Sequence, residues 1–92
     1  MMIFDGHADL LYDVTKWRQA GEDRVFERRH LPRLQAGQIG GLGLSIWTTV
    51  EQDSIWSAHP DWDGWRRTEE MMARALEERT ECPWLALVRT AA

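Results

Sequence analysis

A histidine and an aspartate sit two residues apart in Ile3-Phe4-Asp5-Gly6-His7-Ala8-Asp9, at the end of an apolar run that a glycine interrupts. On an extended strand successive side chains alternate faces, so His7 and Asp9 point the same way, with Asp5 one step back on that face. An imidazole nitrogen and a carboxylate oxygen presented together suit two ligands of a divalent ion such as zinc. The bland alternative is a strand end whose polar groups hydrogen-bond neighbouring loops, and the heptapeptide alone does not choose. Elsewhere the chemistry-bearing types read plainly. Cys82, before Pro83, is expected to be a small buried side chain and not a nucleophile. His59, before Pro60, reads as a solvent-facing loop residue, and Met71-Met72 as core filling.

The elements that must position this pair belong to a chain of 92 residues with 15 acidic and 11 basic side chains, a net charge of −4. That length makes one small domain at most, burying a modest fraction of its surface. Nucleic-acid binding is not expected, because no basic stripe is present to neutralise phosphates. Arg28-Arg29 and Arg66-Arg67 are flanked by acids or aromatics and read as solvated helix faces. A single cysteine excludes an internal disulfide and is compatible with a reducing compartment. No apolar run approaches the roughly 20 residues of a membrane span. No secretory signal is visible at the start, so a cytoplasmic location is the expectation. Tryptophans at 17, 47, 56, 62, 65 and 84 are dense for this length. They suggest packing surface that the chain cannot itself cover, and self-association into a homo-oligomer would cover it.

Along the chain, Leu10, Val14 and Trp17 recur at helical spacing, and Gly21 is placed to end that helix. Glu22 to Arg29 is charge-rich and reads as a loop. Leu31 to Gly37 reads as a short helix, with Pro32 in its first turn and Gly37 as its stop. In Gly40 to Val50 the residues Leu42, Leu44 and Ile46 alternate with Gly43, Ser45 and Trp47. That pattern predicts a strand buried on both faces, with glycines where neighbouring backbone comes close. Residues 51 to 60 read as a surface connection. Asp61 or Asp63 then caps a helix running to about Thr80, with Trp65, Thr68, Met72, Ala75, Leu76 and Arg79 on its apolar stripe. Glu69, Glu70, Arg74, Glu77 and Glu78 are expected away from that stripe. Trp84 to Val88 reads as a third strand, and Thr90 as the cap of a further helix. Strands alternating with helices predict an α/β protein with parallel strands and helical crossovers. Functional side chains of such sheets gather at the C-terminal strand ends, where His7 and Asp9 fall.

These residues resemble the membrane (renal) dipeptidases, zinc peptidases of the amidohydrolase-like metal-dependent barrels. Asp5-Gly6-His7-Ala8-Asp9-Leu10 is similar to the family's opening Asp-Gly-His-Asn-Asp-Leu, with Ala8 in place of the usual Asn. Leu31-Pro32-Arg33-Leu34-Gln35-Ala36-Gly37, through Gly40-Gly41 to Ser45-Ile46-Trp47-Thr48, looks like the family's helix-then-strand segment and its Ser-x-(aromatic)-Thr ending. The likeness implies the first three or so βα units of a (β/α)8 barrel of the TIM type. It further implies a two-zinc centre that hydrolyses dipeptides through a metal-bridged hydroxide. By resemblance His7 and Asp9 are the ligands the first strand gives to one zinc. Gly6 would let the backbone turn close to the metal, and Asp5 would support the ligands from behind.

A barrel of this kind takes about 250 residues. The family's bridging glutamate, the histidines of its second zinc and its substrate-binding residues have no counterpart after Val88, so the 92-residue chain is expected to be inactive by itself. Three readings follow. The chain is the N-terminal part of a zinc dipeptidase; or a small non-catalytic α/β protein of the same ancestry, acting as an oligomerising or interaction module; or a small metal-binding module whose likeness is coincidental.

Overall fold

The computed structural model describes residues 2–46 and 54–88. Trp47 to Val50 of the expected second strand, the front of the 51–60 connection and the Thr90 cap lie outside them. The described elements are strand β1 (Ile3–Ala8), helix α1 (Leu10–Gln19), helix α2 (Leu31–Ala36), strand β2 (Ile39–Leu44) and helix α3 (Gly64–Glu81). β1 and β2 pair in parallel, so the chain is mixed α/β with a helical connection between its strands. Among the described residues no helix is long and apolar enough to cross a membrane.

α1 begins directly after the strand. Leu11, Val14 and Thr15 form its buried face, while Leu10 and Trp17 are only half-buried, so the face is turned by one residue from the expected one. Its end is the predicted one. Gly21 adopts a left-handed φ of +99°, and the Gly21 and Glu22 amides donate back to the Arg18 and Trp17 carbonyls at 3.0 Å each. Two carbonyls left open by the helix end are thereby satisfied.

Leu11, Val14, Val25, Trp56 and Met71 make the core, with Tyr12, Trp17, Ile55, Trp62 and Ala75 packed around it. Trp56 enters it from a single 3₁₀ turn, Ile55–Ala58, inside the connection expected to lie on the surface. Ser54 Oγ accepts from the Trp56 amide at 3.2 Å, and Tyr12 Oη accepts from the Ile55 amide at 3.0 Å. His59 stacks flat on Trp62 with ring centroids 3.7 Å apart. Cys82 is buried and free, as its context suggested.

Three further expectations are corrected. The segment Glu22 to Arg29 is not all loop: Phe26–His30 forms a wide helical turn leading into α2, with Val25, Phe26 and His30 buried. The cause is distant. Glu78 on α3 accepts from the Val25 amide at 3.1 Å and from the Phe26 amide, supplying acceptors to a helix start that has none of its own. The face of α3 is the second correction. Asp63 caps the helix, accepting from the Arg66 amide at 2.8 Å, but the buried positions are Met71 and Glu78, followed by Cys82. Trp65, Met72 and Leu76 are exposed. Arg18 of α1 explains the choice. Its guanidinium donates to Glu77 at 2.7 Å and to Glu81 at 2.8 and 3.0 Å, and it also pairs with Glu78. α3 therefore turns its charged side to α1. The third correction concerns residues 84–88, which form no strand: a turn at Pro83 and Trp84 follows α3, and the segment pairs with neither β1 nor β2.

A separate polar contact ties α1 to α2. Buried His30 Nε2 lies 2.7 Å from Asp13 Oδ2, Arg33 donates to its Nδ1 at 2.9 Å, and Asp13 also accepts from Trp17 Nε1 at 3.0 Å.

Candidate metal centre

β1 delivers His7 through a bulge. Asp5 pairs with Leu42 and Ala8 with Leu44, so three steps along β1 match two along β2. An extra residue of this kind bends the strand and re-aims the side chains it carries. Gly43 faces the bulge, and a Cβ there would stand 2.5 Å from the Gly6 carbonyl oxygen. The glycine demanded by close approach is thus Gly43. Around Gly6 itself there is open space, and its backbone stays in the strand with no left-handed turn.

The expected pair meets. His7 Nε2 lies 3.1 Å from Asp9 Oδ1, with the two side chains 73% and 48% exposed. Asp9 occupies the N-cap position of α1, yet its side chain makes no capping hydrogen bond. An N-cap aspartate ordinarily accepts from the first free amides of its helix, an arrangement that contributes about 1 kcal/mol. Here the carboxylate turns away from that partner toward the imidazole. Asp5 Oδ1 accepts from the His7 amide at 3.1 Å and so braces the backbone that carries the ring.

A further residue joins them. Ser45, just beyond β2, places its Oγ 3.0 Å from His7 Nδ1 and 3.3 Å from Nε2. Its own amide donates to the Ala8 carbonyl at 2.9 Å, continuing the sheet ladder past β2 and fixing the serine opposite the ring. In the sequence Ser45 is one small residue in an alternating strand. Its contact spans 38 residues and depends on the bulged register, which local pattern does not encode.

The donor pair fits zinc in kind, one imidazole nitrogen and one carboxylate oxygen. It also fits in separation: two ligands about 2.0–2.1 Å from one tetrahedral ion lie about 3.4 Å apart, close to the 3.1 Å found here. The number of ligands is short. Among the described residues no group of three or more His, Cys, Asp or Glu side chains could hold a metal ion. The pair lies at the C-terminal edge of the parallel strands β1 and β2. No protein-family model, no curated protein and no solved structure matches this chain, so the case for the site stands on its own residues.

Proposed function

We propose that this chain is the leading βα portion of a zinc-dependent dipeptidase barrel of the membrane-dipeptidase kind, with His7 and Asp9 as the first two ligands of one zinc. The supporting observation is the Asp9 carboxylate. It sits where a helix cap would hold it and instead meets His7 Nε2. Zinc in such a centre polarises the scissile carbonyl and acidifies the attacking water. The chain's own residues hold donors in place. β1 brings His7 to the sheet edge, Asp5 fixes its backbone, and the start of α1 carries Asp9. Two protein ligands do not complete a zinc site, since stable ones use three or four. Later strands of the barrel would supply the rest, and the 92 residues alone would not hydrolyse dipeptides.

The test is the intact mass of the protein made from its natural locus, followed by a zinc-dependent dipeptide assay on that product. The expected result is a mass near that of a barrel of about 250 residues or more, with hydrolysis that His7→Ala abolishes. Full activity in His7→Ala would overturn the ligand assignment.

One observation favours a second reading, a non-catalytic module that oligomerises. Phe4 is 71% exposed, Trp65 72%, Trp84 71% and Val88 80%, and among the described residues the sheet has two strands. That reading predicts a discrete oligomer of this chain with no dipeptide hydrolysis at any zinc concentration.

A further inference from the structure

We propose that the outward face of α3 docks on the same face of a second copy of this chain, the two helices antiparallel about a two-fold axis level with Arg74. The proposal rests on the reading of the chain as an oligomerising module and names the surface that reading requires. It involves neither His7 nor a metal.

α3 turns Met71 and Glu78 inward, and a row of exposed residues runs along its other side: Trp65, Glu69, Met72, Leu76 and Arg79. Steps of four, three, four and three residues separate them, the spacing with which helices of a coiled coil pack together. The row extends about 21 Å at the rise of an α-helix. Three of its five side chains are large and apolar, and apolar surface gathered in this way marks a place of interaction.

The order of residues in the row selects the occupant. Met72 and Leu76 lie two positions either side of Arg74, and Glu69 and Arg79 lie five either side. Reversing the helix about that level sets Met72 against Leu76 of the partner subunit and Glu69 against Arg79 of the partner subunit. Two-fold symmetry repeats each contact, giving two apolar contacts and two ion pairs. A parallel, in-register pair would instead oppose Glu69 to its own copy and Arg79 to its own copy, which like charges disfavour. In the antiparallel pair Trp65 comes level with the turn that follows α3 in the other copy, where Trp84 is exposed.

The neighbouring charges agree with this. Along the same helix Glu70 pairs with Arg66 and Arg74, and Glu77 pairs with Arg74 and with Arg18 of α1. Among the described residues Glu69 and Arg79 have no ion-pair partner, and both stand in the exposed row. A different partner would have to bring a base and an acid at the same separation, flanking an apolar centre. A second copy brings them already.

Sedimentation equilibrium of the full 92-residue chain tests this, as wild type, Glu69→Arg, Arg79→Glu and the double variant, with circular dichroism melts to check folding. Wild type should behave as a reversible monomer–dimer pair, because one helix face makes an interface at the small end of the specific range. Each single change sets two like-charged pairs across the axis and should raise the dissociation constant about 10-fold or more. The double variant reverses both members of each pair and should return to within about 3-fold of wild type. Should one single variant unfold, the other and the double variant decide. A dimer indifferent to the single changes, or weakened by them and not restored in the double variant, overturns this face and leaves the oligomerising reading standing. A monomer at every concentration overturns both.

Discussion

Asp9 occupies a helix-cap position without using it as a cap. A residue at the start of α1 whose carboxylate leaves the helix amides uncapped sacrifices local stability for its contact with His7. Replacing it with serine, a good N-cap that cannot serve as a zinc ligand, should therefore leave the melting temperature unchanged or raise it, with a gain of about 0.5–1 kcal/mol. Under the proposed ligand role, the same variant should also lose whatever zinc His7 holds. A calorimetric melt and a zinc titration on one sample check both halves, and a large fall in stability would show that Asp9 is structural. Residue types and spacing were enough to bring His7, Asp9 and Asp5 together, because the arrangement is local. Ser45 was beyond that reach. Nothing near position 45 announces a partner at position 7, and simple alternation of faces does not anticipate the extra residue that aims His7 toward it.

The elements show where local pattern gives way to long-range charge. The boundaries of α1, α2 and α3 follow their Gly, Pro and Asp signals closely, since caps and stops are properties of a few adjacent residues. The face of α3 does not follow its apolar stripe. A buried glutamate is never favoured by hydropathy, and Glu78 is only 2% exposed because Arg18 and two backbone amides of the 25–26 segment satisfy it. Glu78→Ala should thus destabilise the protein by about 3–5 kcal/mol, since it leaves Arg18 short of a partner and two buried amides without acceptors. Denaturant unfolding measures this, and a loss under 1 kcal/mol would contradict the assigned role. Between the strands, Gly43→Ala drives a methyl against the Gly6 carbonyl. The backbone must part there, at about 1–3 kcal/mol, and the contact between Ser45 and His7 should loosen with it. His7 ring resonances broadening or splitting in that variant would report the change.

Across the whole molecule, a two-stranded sheet is marginal by itself and depends on what packs against it. The seam between α1 and α3 is acid-sensitive. Hydrogen bonds from the Arg18 guanidinium, and then from the Arg24 amide, hold the Glu81 carboxyl at about 2, well below its ordinary value. A lowered folded pKa contributes stability that is complete above the ordinary carboxylate range and is lost as pH falls through that range toward 2. Thermal melts between pH 6 and 2 should show this decline, and Glu81→Gln should flatten it. Exposed Phe4, Trp65 and Trp84 should add a dependence on concentration, and sedimentation velocity showing a monomer at every concentration would contradict it. Parallel α/β order was legible in the alternation of short apolar runs with amphipathic stretches. A third strand was not realised at 84–88: β-prone residue types alone do not bring that segment to either open edge of the sheet. The reach of Glu78 has one more consequence, for amide exchange with deuterated solvent. The Val25 and Phe26 amides lie at the start of a short helical turn, where fraying would ordinarily release them early. Bonded to a carboxylate 53 and 52 residues away, they can exchange only when α3 lifts off, so two amides in a connecting segment become clocks for the opening of the whole fold.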